Sequence, residues 1–126
     1  MKSWEIAVRA KRFELAERSR KADDLKGMVR DFETMAADLD RQILAEEERT
    51  GVRDQTHYSY STFAKAASLR RDKLLVSVAD LKTQLETALE AQQVARDSLN
   101  ALEADEARGI ARASHGKMER NGVAYG

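Results

Sequence analysis

The stretch that decides the fold runs from Val8 to Ile43 and reads VRAKRFELAERSRKADDLKGMVRDFETMAADLDRQI. Its apolar residues return at strict seven-residue intervals, at Val8, Leu15, Ala22, Val29, Ala36 and Ile43. A second apolar row alternates with the first at Leu25, Phe32 and Leu39, but nearer the N-terminus its positions hold Lys11 and Arg18. Two alternating rows with this repeat are typical of a helix in a left-handed coiled coil. The pattern predicts a long helix whose first turns form the weaker part of the seam.

A second heptad pattern follows in the C-terminal half of the chain. Its main row is Ala67, Leu74, Leu81, Ala88, Ala95 and Leu102. The alternating row holds Val78, Leu85 and Leu99, is interrupted by Arg71 and Gln92, and is widened by Leu75 and Leu89. Between the two patterns, Gly51 suits the left-handed residue that ends a helix, and Ser59, Ser61 or Thr62 suits the cap of the next one. We expect helices over residues 3–49 and 61–107, with a connection over residues 50–60.

Two helices of equal length on a short connection bury both stripes most directly by folding back on each other. We therefore predict an all-α fold in which two long helices form an antiparallel left-handed coiled-coil hairpin over residues 1–107. If Ile43 faces Ala67, then Ala36 faces Leu74, and large and small side chains mostly alternate across the seam. Because four of the six glycines fall within residues 108–126, we expect a flexible glycine-rich tail there.

The composition supports long helices and excludes several classes of protein. Charged residues make up 35% of the chain, and proline is absent, whereas soluble domains average about 25% charged residues. The absence of cysteine excludes disulfides, thiolate nucleophiles and cysteine zinc sites. Neither a secretory signal nor a run of about 18 apolar residues is present, so we expect a cytoplasmic or peripheral protein.

The net charge of zero conceals two segments of opposite charge. Residues 1–30 contain nine basic and five acidic residues, a net charge of +4, and residues 31–60 contain three basic and eight acidic residues, a net charge of −5. The basic segment is distant from the predicted turn, and the acidic segment leads into it. This polarity favours different partners at the two ends.

A two-helix hairpin lacks the water-excluded cleft that catalysis requires. We therefore expect no enzymatic activity, no catalytic or metal-binding residue, no cofactor and no small-molecule substrate. His57, three residues after Asp54, either holds a metal ion weakly, takes part in a proton relay, or makes a local hydrogen bond that stabilises the turn. The run Glu46-Glu47-Glu48 is interpreted as a solvated helix face rather than a calcium site, because no aspartate-rich loop surrounds it.

The aromatic residues leave alternatives open. Tyr58, Tyr60 and Phe63 lie beside Arg53 and Lys65, where they close the end of the hairpin, bind a partner, or stack on single-stranded nucleic acid. Of these three alternatives, we do not expect the binding of nucleic acid. Trp4 either lies on a membrane surface or in a protein socket, or rests on the second helix near Leu102 or Glu106.

Several short motifs resemble those of the flagellar FliJ-type export proteins of alphaproteobacteria. In and after the turn they are Gly51-Val52, Asp54, His57, Tyr60, Thr62-Phe63-Ala64-Lys65-Ala66-Ala67 and Arg70-Arg71-Asp72. Before the turn they are Asp31-Phe32-Glu33, Met35-Ala36 and Asp38-Leu39-Asp40. The likeness covers roughly residues 1–107, and this chain has Gln55 and Ser61 where the family has prolines.

The resemblance implies a small component of the bacterial flagellar type III protein export apparatus, needed for flagellum assembly and motility. Family members resemble the coiled-coil stalk of rotary ATPases. They enter the central hole of a hexameric flagellar export ATPase, contact the export gate membrane protein and recycle export chaperones. The implied location is cytoplasmic, peripherally associated with the cytoplasmic face of the inner membrane at the flagellar base.

With such partners, the basic first quarter suits a ring socket lined by carboxylates. We therefore expect contact with the ATPase through Lys11, Arg12, Arg18 and Arg20. The candidates for contact with the gate or another partner are Arg53, Tyr58 and Tyr60. The alternative function is a generic coiled-coil scaffold or homodimerising adaptor, in which Leu75, Leu85 and Leu89 pack against a second hairpin.

Overall fold

The structure is a computed structural model that describes the backbone of residues 2–125 and the side chains of residues 2–116. Helix α1 spans Ser3–Thr50 and helix α2 spans Thr62–Tyr125. The two helices pack against each other, and residues 2–125 contain no strand. The prediction of an all-helical chain with two helices is confirmed.

Helix α1 ends at a glycine with left-handed backbone geometry. Gly51 has a φ of 73°, and its N–H donates to the carbonyl oxygen of Glu47 at 2.9 Å. The hydroxyl of Thr50 donates to the same carbonyl at 3.4 Å and accepts from the N–H of Val52 at 3.2 Å. Because glycine has no Cβ to clash in this conformation, the helix ends where the sequence predicted.

Ser61 caps helix α2. Its Oγ accepts a hydrogen bond from the N–H of Ala64 at 3.1 Å. Its carbonyl oxygen accepts from the N–H of Lys65 at 3.0 Å, which is the first hydrogen bond of the helix. A serine in this position satisfies one of the free N–H groups at the start of a helix. Of the three capping candidates, the structure therefore selects Ser61.

The chain divides into two compact units. The turn unit is Lys21–Thr87, and the terminal unit is Met1–Arg20 with Ala88–Gly126. The buried apolar residues of the turn unit are Ala22, Leu25, Val29, Ala36, Leu39, Ile43, Tyr60, Ala64, Ala67, Val78 and Leu81. Those of the terminal unit are Val8, Ala88, Ala95 and Leu99. Apart from Tyr60 and Ala64, all belong to the predicted heptad rows, so the predicted core is confirmed for these residues. Five other members of the rows are half-buried, namely Leu15, Phe32, Leu74, Leu85 and Leu102.

Leu75 and Leu89, which widen the apolar stripe in the sequence, are 48% and 37% exposed, so this part of the stripe is left uncovered. One detail of the sequence prediction differs from the structure. Helix α2 continues to Tyr125, so the predicted helix end at Ala107 is wrong. The described glycines Gly109 and Gly116 have no positive φ, and without it a glycine weakens a helix by about 1 kcal/mol but does not end it. The flexibility of residues 108–126 stays a prediction.

Within the part of the chain that the structure describes, neither helix contains a segment that is both long enough and apolar enough to span a bilayer.

Candidate functional site

Trp4 anchors the start of α1 within the terminal unit. Its indole Nε1 donates to the carbonyl oxygen of Leu102 at 3.0 Å, and its ring is half-buried. Of the alternatives for Trp4, contact with the second helix near Leu102 is the one that the structure shows. The half-buried indole N–H therefore has a hydrogen-bond partner.

Lys11 and Arg18, which interrupt the apolar row of α1, are joined by one carboxylate. Arg18 donates from Nη2 to Glu14 at 2.6 Å, and Lys11 donates to the other oxygen of Glu14 at 3.1 Å. These contacts, the hydrogen bond from Lys11 foremost, lower the pKa of Glu14. Arg18 also donates from Nη1 to the carbonyl oxygen of Ala91 on α2 at 3.0 Å. Both cations are therefore part of the polar packing inside the terminal unit.

Arg12 and Arg20 face outward instead. Arg12 pairs with Glu103 of α2 at 3.2 Å, and Arg20 pairs with Glu17 of its own helix at 2.6 Å. Their side chains remain 64% and 65% exposed. Exposed pairs of this kind contribute at most about 1 kcal/mol, so either guanidinium can exchange its carboxylate for one on a partner. Among the four basic candidates, these two offer an accessible charge.

Tyr58 and Arg53 form the exposed tip of the turn. Tyr58 is 95% exposed, and its ring stacks on the imidazole of His57 with centroids 4.6 Å apart and an angle of 26° between the rings. Arg53 is exposed and has no hydrogen bond or ion pair to any residue that the structure describes. Both side chains are exposed in the same turn, and tyrosine and arginine are enriched at the centre of protein interfaces.

Local hydrogen bonds build the turn that carries this tip. The carboxylate of Asp54 accepts from the N–H of Thr56 at 2.9 Å and from its hydroxyl at 2.7 Å. These bonds, that from the hydroxyl foremost, lower the pKa of Asp54. The Nδ1 of His57 accepts from the N–H of Ser59 at 3.0 Å. The prediction of a local stabilising role for His57 is confirmed. Among the described residues, no group of three or more histidine, aspartate or glutamate side chains is arranged to hold a metal ion.

Tyr60 requires a correction. It was a candidate contact residue, but it is only 9% exposed and belongs to the core cluster with Leu39, Ile43, Ala64 and Ala67. Burial foremost, and then the nearby Glu47, raise the pKa of its hydroxyl. In the described structure this hydroxyl has no hydrogen bond of normal geometry. Because the ring fills the core beside the turn, Tyr60 closes the helix pair and is not available to a partner.

Glu46 is a residue whose role the sequence interpretation missed. Its carboxylate accepts hydrogen bonds from Arg49, the shorter at 2.6 Å, and from the hydroxyl of Ser61 at 2.9 Å. These bonds, with Arg49 the larger cause, lower the pKa of Glu46 from 4.5 to about 2. Glu46 therefore joins the last turn of α1 to the cap of α2. The only signal in the sequence was the spacing of three residues between Glu46 and Arg49.

The candidate site thus consists of two surfaces of different chemistry. One presents the exposed cations Arg12 and Arg20 of the terminal unit, and the other presents Tyr58 and Arg53 at the turn. Comparison of the chain with protein-family models, curated proteins and solved structures found no match.

Proposed function

We propose that the chain is a non-enzymatic component of the bacterial flagellar type III protein export apparatus. In this role it acts as the stalk of the export ATPase ring and as an escort for export chaperones. The observation that carries the proposal is the turn, because three residues of the FliJ-type resemblance, Asp54, His57 and Tyr60, are those that build it. The proposed location is the cytoplasmic face of the inner membrane at the flagellar base, by peripheral association.

The proposed architecture is an antiparallel left-handed coiled-coil hairpin. Within the turn unit, Glu46 contacts Ser61 and Glu33 contacts Lys82. The residue nearer the N-terminus of α1 therefore contacts the residue further along α2, as in an antiparallel pair. The seven-residue spacing of the buried rows supports a left-handed supercoil.

The terminal unit supports the same direction of pairing. Arg18 contacts Ala91, and Trp4, nearer the N-terminus, contacts Leu102, further along α2. Polar residues in this part of the seam leave charged groups at its edge, which suits a segment that enters a protein ring.

The hexameric export ATPase is the proposed partner of Arg12 and Arg20. Lys11 and Arg18 make contacts inside the terminal unit. In this proposal they position the segment, and they are not the main residues that bind the ATPase. The exposed pair Tyr58 and Arg53 is the proposed contact with the export gate membrane protein or with export chaperones.

A matched pair of double variants tests the ATPase contact. Arg12→Ala with Arg20→Ala removes one pair between helices and one pair within α1. The control, Lys82→Ala with Arg41→Ala, removes one pair of each kind in the turn unit. Binding of the full chain to the purified ATPase ring should weaken about 2- to 5-fold per arginine in the first variant only, as expected for exposed charge pairs of up to about 1 kcal/mol.

Equal binding by the two double variants would contradict the assigned surface. In cells, deletion of the gene should abolish motility and retain flagellin inside, and normal filaments in the deletion strain would contradict the function itself. Complementation with the control variant should restore motility more fully than complementation with the Arg12 and Arg20 variant.

The exposure of Leu75 and Leu89 favours a second candidate, a homodimerising coiled-coil adaptor. Burial of the exposed parts of the two leucines against another copy would stabilise a dimer by roughly 0.5–1.5 kcal/mol per side chain, because each is already more than half buried. Sedimentation at micromolar concentration distinguishes the two candidates. A species of twice the 14.2 kDa chain mass supports the adaptor, and a monomer excludes it.

A further inference from the structure

A groove lies between α1 and α2 within the turn unit. We call it the Met35 groove. Its floor is apolar and consists of Met35, Leu39 and Leu74. Its rim is polar and consists of Asp38, Gln42, Arg70 and Lys73. The groove has a volume of about 460 Å³ and is open to solvent, so it is large enough to receive several side chains of a partner.

The floor presents an adaptable apolar surface. Leu39 is buried in the core, whereas the side chain of Met35 above it is 50% exposed. Methionine is flexible and polarisable, and exposed methionines are common on surfaces that bind apolar side chains of varied shape. The floor therefore favours an occupant with aliphatic anchors.

The rim carries two cations that form no ion pair in the described structure. Arg70 and Lys73 have no hydrogen bond or ion pair to any described residue. The only carboxylate on the rim, Asp38, is already paired with Arg41. The neighbouring Arg71, by contrast, contacts Asp40 at 2.9 Å. Two uncompensated positive charges beside an apolar floor predict an occupant that is both anionic and apolar.

We propose that the Met35 groove binds an acidic amphipathic helix of another protein. Aliphatic side chains spaced by three and four residues would lie on the floor, and Asp or Glu side chains flanking them would pair with Arg70 and Lys73. Nucleic acid fits less well, because the groove has no aromatic ring on which a base can stack. This inference does not depend on the proposed role in flagellar export.

A synthetic probe tests the proposal with the full-length chain. The probe is a fluorescein-labelled 15-residue helical peptide with leucines on one face and glutamates on both flanks, and its control carries lysines in place of the glutamates. Fluorescence anisotropy should show binding of the glutamate peptide only. Amide NMR shifts should be centred on Met35, Arg70 and Leu74.

Matched variants locate the binding site. Arg70→Ala with Lys73→Ala should weaken binding of the glutamate peptide about 4- to 25-fold, as expected for two exposed charge pairs, and Met35→Ala should weaken it severalfold. The control, Lys21→Ala with Arg96→Ala, removes two exposed cations outside the groove and should change binding less than twofold. All three variants alter exposed side chains, and circular dichroism should show wild-type helix content in each.

Five outcomes would overturn the proposal. The first three are absence of binding by the glutamate peptide, equal binding of the lysine peptide, and an equal loss of binding in the control variant. The fourth is a poly-dT oligonucleotide that binds more tightly than the peptide and loses affinity in the Arg70 and Lys73 variant, which would assign the groove to nucleic acid. A dimer of the free chain that Arg70→Ala with Lys73→Ala dissociates would also refute the proposal, since a second copy would then fill the groove.

Discussion

Replacing Gly51 by alanine should destabilise the chain, whereas replacing Gly27 by alanine should stabilise it. Both glycines belong to the turn unit, and a Cβ at either position would meet no atom within 4 Å. Steric contact with neighbours therefore plays no part at either site. The backbone differs, because Gly51 has a φ of 73° at the end of α1 and Gly27 lies in the interior of α1.

The magnitudes follow from these backbone conformations. A left-handed conformation costs an alanine about 1–2 kcal/mol, and the smaller entropy of the unfolded chain returns about 0.4–1 kcal/mol. Gly51→Ala should therefore lower the free energy of unfolding by about 1 kcal/mol. Alanine in a helix interior is more favourable than glycine by about 1 kcal/mol, so Gly27→Ala should raise it by a similar amount. The two variants should differ by about 2 kcal/mol, or roughly 30-fold in the folding equilibrium.

Urea unfolding followed by circular dichroism at 222 nm measures both effects. The wild type, Gly51→Ala and Gly27→Ala should unfold with equal slopes and three separate midpoints. Gly51→Asn is a useful control, because asparagine tolerates the left-handed region better than alanine, and its midpoint should lie between those of wild type and Gly51→Ala. A shift of both alanine variants in the same direction, or a Gly51→Ala variant as stable as wild type, would refute the reasoning.

Three further predictions concern side chains at the turn. Ser61→Ala removes the cap of α2 and should lower the free energy of unfolding by about 1 kcal/mol. The control is Ser59→Ala, which should change the free energy of unfolding by less than about 0.5 kcal/mol, because the hydroxyl of Ser59 makes no hydrogen bond to a described residue. Equal urea midpoints for the two variants would contradict the assignment of Ser61 as the cap. The pKa of Glu46 is lowered from 4.5 to about 2, so its contribution to stability is complete above pH 4.5 and is lost as the pH falls toward 2. In urea titrations between pH 4.5 and pH 2, the wild type and the control Glu48→Gln should lose more stability than Glu46→Gln. Identical losses in all three proteins would contradict this role of Glu46. Tyr60→Phe removes a buried hydroxyl without a hydrogen bond of normal geometry and should leave the thermal midpoint unchanged or raise it; a clear fall would show that the hydroxyl is bonded.

The heptad rows predicted most of the core because a seven-residue repeat is a local property of a helix. Residues such as Ala22 and Ile43 lie on one face of α1 whatever surrounds it, and both are buried. The ends of the helices at the turn were predictable for the same reason. Gly51 and Ser61 act through their own backbone and side chain, within four residues of their positions.

Features that depend on contact between distant residues were not predictable. Tyr58 and Tyr60 are two residues apart in the same aromatic cluster, yet one is 95% exposed and the other lies in the core. Which of them turns inward depends on the hydrogen bonds of His57 and on the space left beside Ile43. Glycine content alone does not show where α2 ends, because a glycine ends a helix through a positive φ and Gly109 has none.

The sequence by itself determined that this chain forms two helices, where α1 stops and α2 starts at the turn, and which rows are buried, because periodicity and capping are set by neighbouring residues. Only the tertiary structure decided which charged side chains form ion pairs between the helices and which stay exposed. Arg70 and Arg71 are adjacent in the sequence, but Arg71 contacts Asp40 while Arg70 has no partner among the described residues. The proposed binding groove rests on that difference. It arises because packing of α1 against α2 brings the guanidinium of Arg71 to the carboxylate of Asp40, 31 residues away, and leaves Arg70 exposed to solvent.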